Sequence, residues 1–103
     1  MPSIPELREV HRLVLEKLQL LHPDADTGTD ADILLYGENG MLSSIELVML
    51  IVETEQALRA QTGLALVLAS SRAMSSRNSP FRSVNSFSNY IFEELSLLNK
   101  PNP

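Results

Sequence analysis

Three segments of this chain repeat their apolar residues at intervals of three and four, which is the spacing of an amphipathic helix. Each such helix can bury its apolar face only against another element, so three of them predict a helix bundle. The residues that we expect on the buried faces are Leu7, Val10, Val14, Leu18 and Leu21 in the first segment, Leu47, Leu50, Ile51, Thr54 and Leu58 in the second, and Val84, Phe87, Ile91, Leu95 and Leu98 in the third.

The first predicted helix has recognisable signals at both ends. Ser3 and Glu6 have the spacing of a capping box, and Pro5 is tolerated in a first helical turn. Pro23 disfavours helical geometry at the residue before it, so the helix should stop after His22.

The other two main helices are bounded in a similar way. The second should run from about Ser44 to about Thr62 and end at Gly63, because glycine is the residue preferred just past a helix C-terminus. The last should run from Val84 to about Leu98, with Ser83 or Asn85 as its N-cap.

The connections complete the predicted architecture. Residues Asp24–Gly40 form a long loop in which we expect part of the apolar run Ile33–Tyr36 to anchor the loop on the bundle. We expect Leu64–Ala69 to be an extended, buried connection. A short extra helix is predicted after it, either at Ser70–Met74 or as one turn at Phe81–Val84. The prediction is therefore an all-α fold: a small four-helix bundle of three main helices and a short third helix, with a long loop between helices one and two.

Length and composition predict a single globular domain. The chain has 103 residues, of which 44% are hydrophobic, and we expect one domain over 1–103 with the bundle at about 4–98 and a frayed tail at 99–103. It has no cysteine, which excludes disulfides and thiolate catalysis. The N-terminus lacks the pattern of a signal peptide, and the longest apolar run is too short to span a membrane. We expect a cytoplasmic monomer.

Charge is distributed unevenly along the chain. From Leu18 to Leu58 there are eight acidic residues and no Lys or Arg, whereas Arg59 to Phe92 has four arginines and no acid. The net charge of −5 argues against nucleic acid and favours basic protein partners. The alternative is that these charges only solvate the surface.

The segment Gly40–Ile51 places a serine at a loop-to-helix junction. A hydroxyl in the first turn of a helix is exposed, and the backbone N–H groups and the helix dipole favour a phosphate there. The same residues fit a capping box, with Ser43 as N-cap and Glu46 at the third helical position. A serine that only caps the helix is therefore the alternative interpretation.

This segment resembles the attachment site of acyl and peptidyl carrier proteins, whose motif is Gly-x-Asp-Ser-Leu followed by an acidic, Leu/Val-rich helix. The resemblance implies that Ser44 carries 4′-phosphopantetheine and that Ile45 stands at the motif leucine. Ser43 occupies the position of the motif Asp, which keeps the capping role and loses the charge. The order of elements over residues 4–98 is also similar, and the resemblance implies a freestanding carrier.

The function that the resemblance implies depends on the 4′-phosphopantetheine group, a flexible arm that ends in a thiol. Its thiol would hold an acyl or aminoacyl group as a thioester and deliver it to enzymes of lipid or secondary-metabolite biosynthesis, such as fatty acid, polyketide or nonribosomal peptide pathways. The implied partners are a phosphopantetheinyl transferase, a loading ligase and downstream synthases or transferases. The chain itself would not be an enzyme. The alternative is an unmodified carrier-fold module that acts in protein–protein interaction.

Residues of the second helix are the expected docking surface for these partners. We expect an apolar centre with an acidic rim, made by Ile45, Glu46, Met49, Val52, Glu53 and Glu55. For Met49 and Val52, packing into the core is an equal alternative.

Other chemistry is poorly supported. Counted as a calcium loop from Asp24, the acidic segment has Thr29 where glycine is needed and Leu35 where the bidentate glutamate is needed. Neither His11 nor His22 has a neighbouring cysteine, and a metal site would need more ligands than these two. Ser44 has no nucleophile-elbow motif. We therefore expect no metal site and no catalytic residue.

Overall fold

The computed structural model describes residues 4–24, 32–36, 40–68 and 80–99. In these ranges the chain forms three helices, α1 at Leu7–Leu21, α2 at Ser44–Thr62 and α3 at Val84–Leu98. The same ranges contain no strand, only one isolated antiparallel bridge between Leu34 and Ser83. The prediction of an all-helical fold is confirmed.

The count of four helices is not confirmed. Three helices are found in the described ranges, and the segment Ser70–Met74, where a short helix was predicted, lies outside them. At the other predicted location, residues 80–82 form a turn and Ser83 is the N-cap of α3.

The ends of α2 and the start of α3 agree with the sequence prediction. Gly63 ends α2 in the left-handed conformation, with φ of 73°, and donates its N–H to the Arg59 carbonyl. Ser83, not Asn85, caps α3, because its Oγ accepts the N–H of Ser86 at 3.1 Å. Side-chain capping and a glycine C-cap thus bound these helices as the propensities of these residues predict.

The start of α1 differs from the prediction. The helix begins at Leu7 with Glu6 as N-cap, and the Glu9 carboxylate accepts the Glu6 N–H at 3.5 Å. Pro5 therefore precedes the helix instead of lying in its first turn, and Ser3 lies outside the described residues. The capping box between Glu6 and Glu9 sets the start of the helix at Leu7. The predicted end is confirmed, since Leu21 is the last helical residue and His22 the C-cap.

The core forms where α1 packs against both α2 and α3. Among the described residues it contains 16 buried hydrophobic side chains, and all of those in helices belong to the predicted faces. Three predicted residues at helix ends are not buried, and one of them, Leu21, is half-buried. Leu7 is 40% exposed and Leu98 is 42% exposed, since the buried stripes run only from Val10 in α1 and to Leu95 in α3.

The long connection between α1 and α2 is anchored as expected. Leu35 is fully buried, its N–H donates to the Arg82 carbonyl at 2.8 Å and its own carbonyl accepts the Leu42 N–H at 2.8 Å. The Val84 N–H donates to the Ile33 carbonyl at 2.9 Å. Residues 32–36 thus lie between the start of α3 and the segment that leads into α2.

The segment after α2 has no regular secondary structure and buries alternate side chains. Leu66 and Leu68 are fully buried, while Val67 between them is exposed. Arg59 Nε donates to the Leu66 carbonyl at 2.7 Å, and the Tyr90 hydroxyl donates to the Leu68 carbonyl at 3.0 Å. This agrees with the buried connection predicted from the apolar run.

Candidate functional site

Ser43 and Ser44 have different roles at the start of α2. Ser43 is the N-cap: its Oγ accepts the Glu46 N–H at 3.2 Å, and Glu46 Oε1 accepts the Ser43 N–H at 2.9 Å. The predicted capping box is confirmed. Ser44 is the first helical residue, is exposed and takes no part in these bonds. Its hydroxyl is therefore accessible to an enzyme at the N-terminal end of the helix.

The Ser44 hydroxyl contacts a residue that the sequence did not identify. Its Oγ lies 3.1 Å from the hydroxyl oxygen of Tyr36, and either group can be the donor. Tyr36 comes from the anchored loop, eight residues earlier. The sequence placed Tyr36 only in an apolar anchoring run, and no periodicity or motif pointed from it to Ser44.

Gly40 allows the loop to approach this site closely. A Cβ at Gly40 would lie 2.7 Å from the Tyr36 backbone N and Cα and 2.8 Å from the Leu35 carbonyl oxygen. No side chain fits at these distances without a backbone shift. Beside it, the Met41 N–H donates to the Leu34 carbonyl at 3.2 Å. A glycine is thus required for the turn that brings Tyr36 to the start of α2.

A contact between His22 and Glu46 joins the end of α1 to the start of α2. His22 Nε2 lies 2.6 Å from Glu46 Oε2, and both side chains are about one-third exposed, at 31% and 32%. The pKa of Glu46 is lowered below its ordinary value, chiefly because the Ser43 backbone N–H donates to the carboxylate. The Ser43 hydroxyl and His22 lower it further, and partial desolvation opposes them. Glu46 therefore has a structural role besides the docking role predicted for it.

The lowered pKa of Glu46 gives a prediction for the pH dependence of stability. Ionised Glu46 is favoured by folding, so its contribution is complete above the ordinary carboxyl pKa of 4.5 and is lost as the pH falls through the lowered value. Glu46→Gln should therefore melt below wild type near about pH 6, and the gap should close on acidification below about pH 4.5. Thermal melts across this range measure the gap. Glu53→Gln, at an exposed position of the same helix, is the control, and a gap for Glu46→Gln that stays constant with pH would contradict the assignment.

Three of the predicted docking residues form part of an exposed apolar surface on α2. Ile45, Met49 and Val52 are 74%, 48% and 42% exposed, so the alternative that Met49 and Val52 pack into the core is wrong. Val48, at 49% exposure, belongs to the same surface and was not predicted. The helical spacing of positions 45, 48, 49 and 52 was a signal that could have identified it. We call these four residues the α2 strip.

The two remaining acidic residues of the predicted docking surface differ in position. Glu53 is exposed beside the α2 strip, which fits an acidic rim. Glu55 instead accepts the Leu68 N–H at 3.0 Å, and its other oxygen lies 3.6 Å from Arg59 Nη2. Its side chain is only 21% exposed. Glu55 therefore holds the segment after α2 against the helix, whereas Glu53 is free of such a contact in the described residues.

Across residues 4–24, 32–36, 40–68 and 80–99, no three His, Asp or Glu side chains lie close enough together to hold a metal ion. No helix in those ranges is both long enough and apolar enough to cross a lipid bilayer.

Comparison with known proteins found no relative of this chain. No family model, no curated protein and no solved structure matches the chain.

Proposed function

We propose that this chain is a carrier protein that bears 4′-phosphopantetheine on Ser44 and presents an acyl or aminoacyl group to partner enzymes. The observation that supports this proposal most is that the two serines have different positions and hydrogen bonds at the start of α2. Ser43 completes the capping box, while the Ser44 hydroxyl lies exposed one residue later. A role as helix cap accounts for Ser43 alone, because the Ser44 hydroxyl makes no capping bond and contacts only the exposed hydroxyl of Tyr36.

The modification would be installed by a separate transferase that uses coenzyme A. Ser44 Oγ attacks the pyrophosphate phosphorus that bears the pantetheine and forms a new P–O bond. The P–O bond to the second phosphorus breaks, adenosine 3′,5′-bisphosphate leaves, and the Ser44 proton passes to a base of the transferase. The chain contributes an exposed hydroxyl and no base, which fits the absence of a nucleophile motif around Ser44.

The residues around Ser44 fit a phosphodiester. A negative charge on the first residue of a helix interacts favourably with the dipole and with the N–H groups of the first turn. The Glu46 carboxylate accepts the Ser43 N–H and lies 2.6 Å from His22 Nε2, and the bond from the Ser43 N–H reduces its repulsion of a phosphate. When bound, the arm supplies a thiol that holds the cargo as a thioester. The protein supplies the tether and so a high effective concentration of cargo at each partner.

The α2 strip is the proposed docking surface for the transferase and for the loading and downstream enzymes. It begins one residue after Ser44, so a partner that covers it has the modified serine at the edge of its interface. Four exposed apolar side chains on one helix form the apolar centre that interfaces use, and Glu53 provides an acidic rim. Proteins with basic surfaces fit this combination.

A polar substitution in the strip should weaken docking without unfolding the helix. Met49→Gln keeps a helix-forming residue and removes exposed apolar surface, so the KM of a broad-specificity phosphopantetheinyl transferase should rise roughly fivefold, or about 1 kcal/mol. Leu97→Gln, at an exposed leucine of α3, is the matched control and should leave the KM unchanged. Steady-state kinetics with intact-mass detection measure both. Equal KM values for the two variants would remove the strip from the transferase interface.

A second function is favoured by one observation. The α2 strip is exposed in the unmodified chain, so it could bind a protein partner without any arm. This is the alternative of an unmodified carrier-fold module, in which both serines serve only the helix start. Mass spectrometry of the chain after incubation with coenzyme A and the transferase separates the two functions, because only the carrier gains the mass of one phosphopantetheine.

A further inference from the structure

Tyr36 is held in place from its backbone while its hydroxyl reaches Ser44. The residue before it, Leu35, is fully buried, and the Tyr36 N–H donates to the Arg82 carbonyl at 3.4 Å. Gly40 packs directly against the Tyr36 backbone. The side chain is 40% exposed, and its hydroxyl oxygen lies 3.1 Å from Ser44 Oγ. The Tyr36 backbone is thus fixed beside the start of α2, at a position from which the Tyr36 hydroxyl reaches Ser44.

We propose that Tyr36 is a positioning residue for Ser44. In the unmodified chain it orients the Ser44 hydroxyl, and in the modified chain it donates a hydrogen bond to the phosphodiester. This inference rests on the proposed function, because it assigns a partner to the phosphate that the proposed function places on Ser44. The site would then consist of a serine from α2 and a phenol from the loop between α1 and α2.

The chemistry of the modification defines the direction of this hydrogen bond. Before modification each hydroxyl can donate to the other. Once Ser44 Oγ is esterified it has no proton, so a bond to the serine oxygen or to its phosphate can only be donated by Tyr36. An anionic phosphate oxygen accepts stronger hydrogen bonds than a neutral hydroxyl does. The hydrogen bond from Tyr36 should therefore strengthen as the new P–O bond forms. An interaction that is stronger in the transition state than before it raises kcat and leaves the binding of the transferase unchanged.

The experiment compares two tyrosine-to-phenylalanine variants. Tyr36→Phe keeps the ring and removes the hydroxyl that contacts Ser44. Tyr90→Phe is the matched control, since its hydroxyl also makes a hydrogen bond, to the Leu68 carbonyl at 3.0 Å. The probe reaction is modification by a broad-specificity phosphopantetheinyl transferase with coenzyme A, followed by intact mass, and the modified proteins are compared by phosphorus NMR.

Tyr36→Phe should lower kcat by about three- to tenfold with an unchanged KM, as expected for one hydrogen bond that strengthens in the transition state. It should also shift the phosphorus resonance of the modified protein, because the phosphate loses a donor. Tyr90→Phe should change neither kcat nor the resonance, even if it lowers the melting temperature.

The failures of the two proposals are distinguishable. Suppose that wild type is modified and that Tyr36→Phe keeps the wild-type kcat and an unshifted phosphorus resonance. That result would overturn the role of Tyr36 and leave the carrier function standing. A wild-type chain that gains no mass would overturn both. A fall in kcat of the same size in Tyr90→Phe would assign the effect to stability and also overturn the role of Tyr36.

Discussion

Replacing Ser44 with alanine should abolish covalent modification completely, whereas replacing Ser43 with alanine should leave it possible. The two serines are adjacent and both exposed, but only Ser43 makes the capping bonds with Glu46. Ser43→Ala removes the N-cap and should cost about 1 kcal/mol of stability, since capping serines contribute roughly that amount. Ser44→Ala removes no capping bond, only the exposed hydrogen bond to Tyr36, and alanine is a good helix former, so this variant should be less destabilised than Ser43→Ala.

Intact mass after incubation with coenzyme A and the transferase measures the first effect, and thermal melts measure the second. The two variants are controls for each other, because each changes one hydroxyl at neighbouring positions. A full mass gain in Ser44→Ala would show that another residue is modified. Loss of the mass gain in Ser43→Ala with an intact Ser44 would mean that the transferase reads the capping residue itself.

Gly40→Ala should both destabilise the protein and slow its modification, although glycine has no functional group. Its Cβ would lie 2.7 Å from backbone atoms of Tyr36, so the loop must move and the Tyr36 hydroxyl must leave Ser44. Overpacking of this kind costs about 1–3 kcal/mol. We expect both a lower unfolding free energy and slower modification of Ser44, because the loop that supports the site is displaced.

Gly63→Ala is the matched control at the other end of α2. A Cβ there meets open space, and the cost comes only from the left-handed backbone, with φ of 73°. That strain is about 1–2 kcal/mol. Urea unfolding should show both variants destabilised, while only Gly40→Ala should be slow to gain the arm. Equal modification rates for the two alanine variants, at matched fractions folded, would contradict a role of the Gly40 loop in the modification of Ser44.

The helices could be predicted from the sequence because their signals are local. Serine caps, Gly63 and Pro23 act on the residues next to them, and a three-to-four periodicity selects the buried face without knowledge of the partner. The errors lie at helix ends, where two capping signals are close together or where the buried face of a helix stops. Pro5 was allowed in the first turn of α1, yet it precedes the helix, and Leu98 continued a stripe whose burial ends at Leu95.

The site could be predicted only in part, for a related reason. The serine at the helix start and the exposure of Ile45 follow from position in the helix. The contact between Tyr36 and Ser44 depends on how a loop returns to the bundle, and the bonds that hold that loop come from Arg82 and Val84, far along the chain. Glu55 was expected to face a partner, but its carboxylate instead satisfies the Leu68 N–H. Tertiary hydrogen bonds of this kind leave no periodic trace in the sequence.

The mass of the wild-type chain after modification tests the central claim most directly. The protein is incubated with coenzyme A and a broad-specificity phosphopantetheinyl transferase, its intact mass is recorded, and the modified peptide is located by fragmentation. The carrier function predicts a gain equal to one phosphopantetheine, located on Ser44. An unchanged mass, under conditions in which the same transferase modifies an established acyl carrier protein, would contradict it.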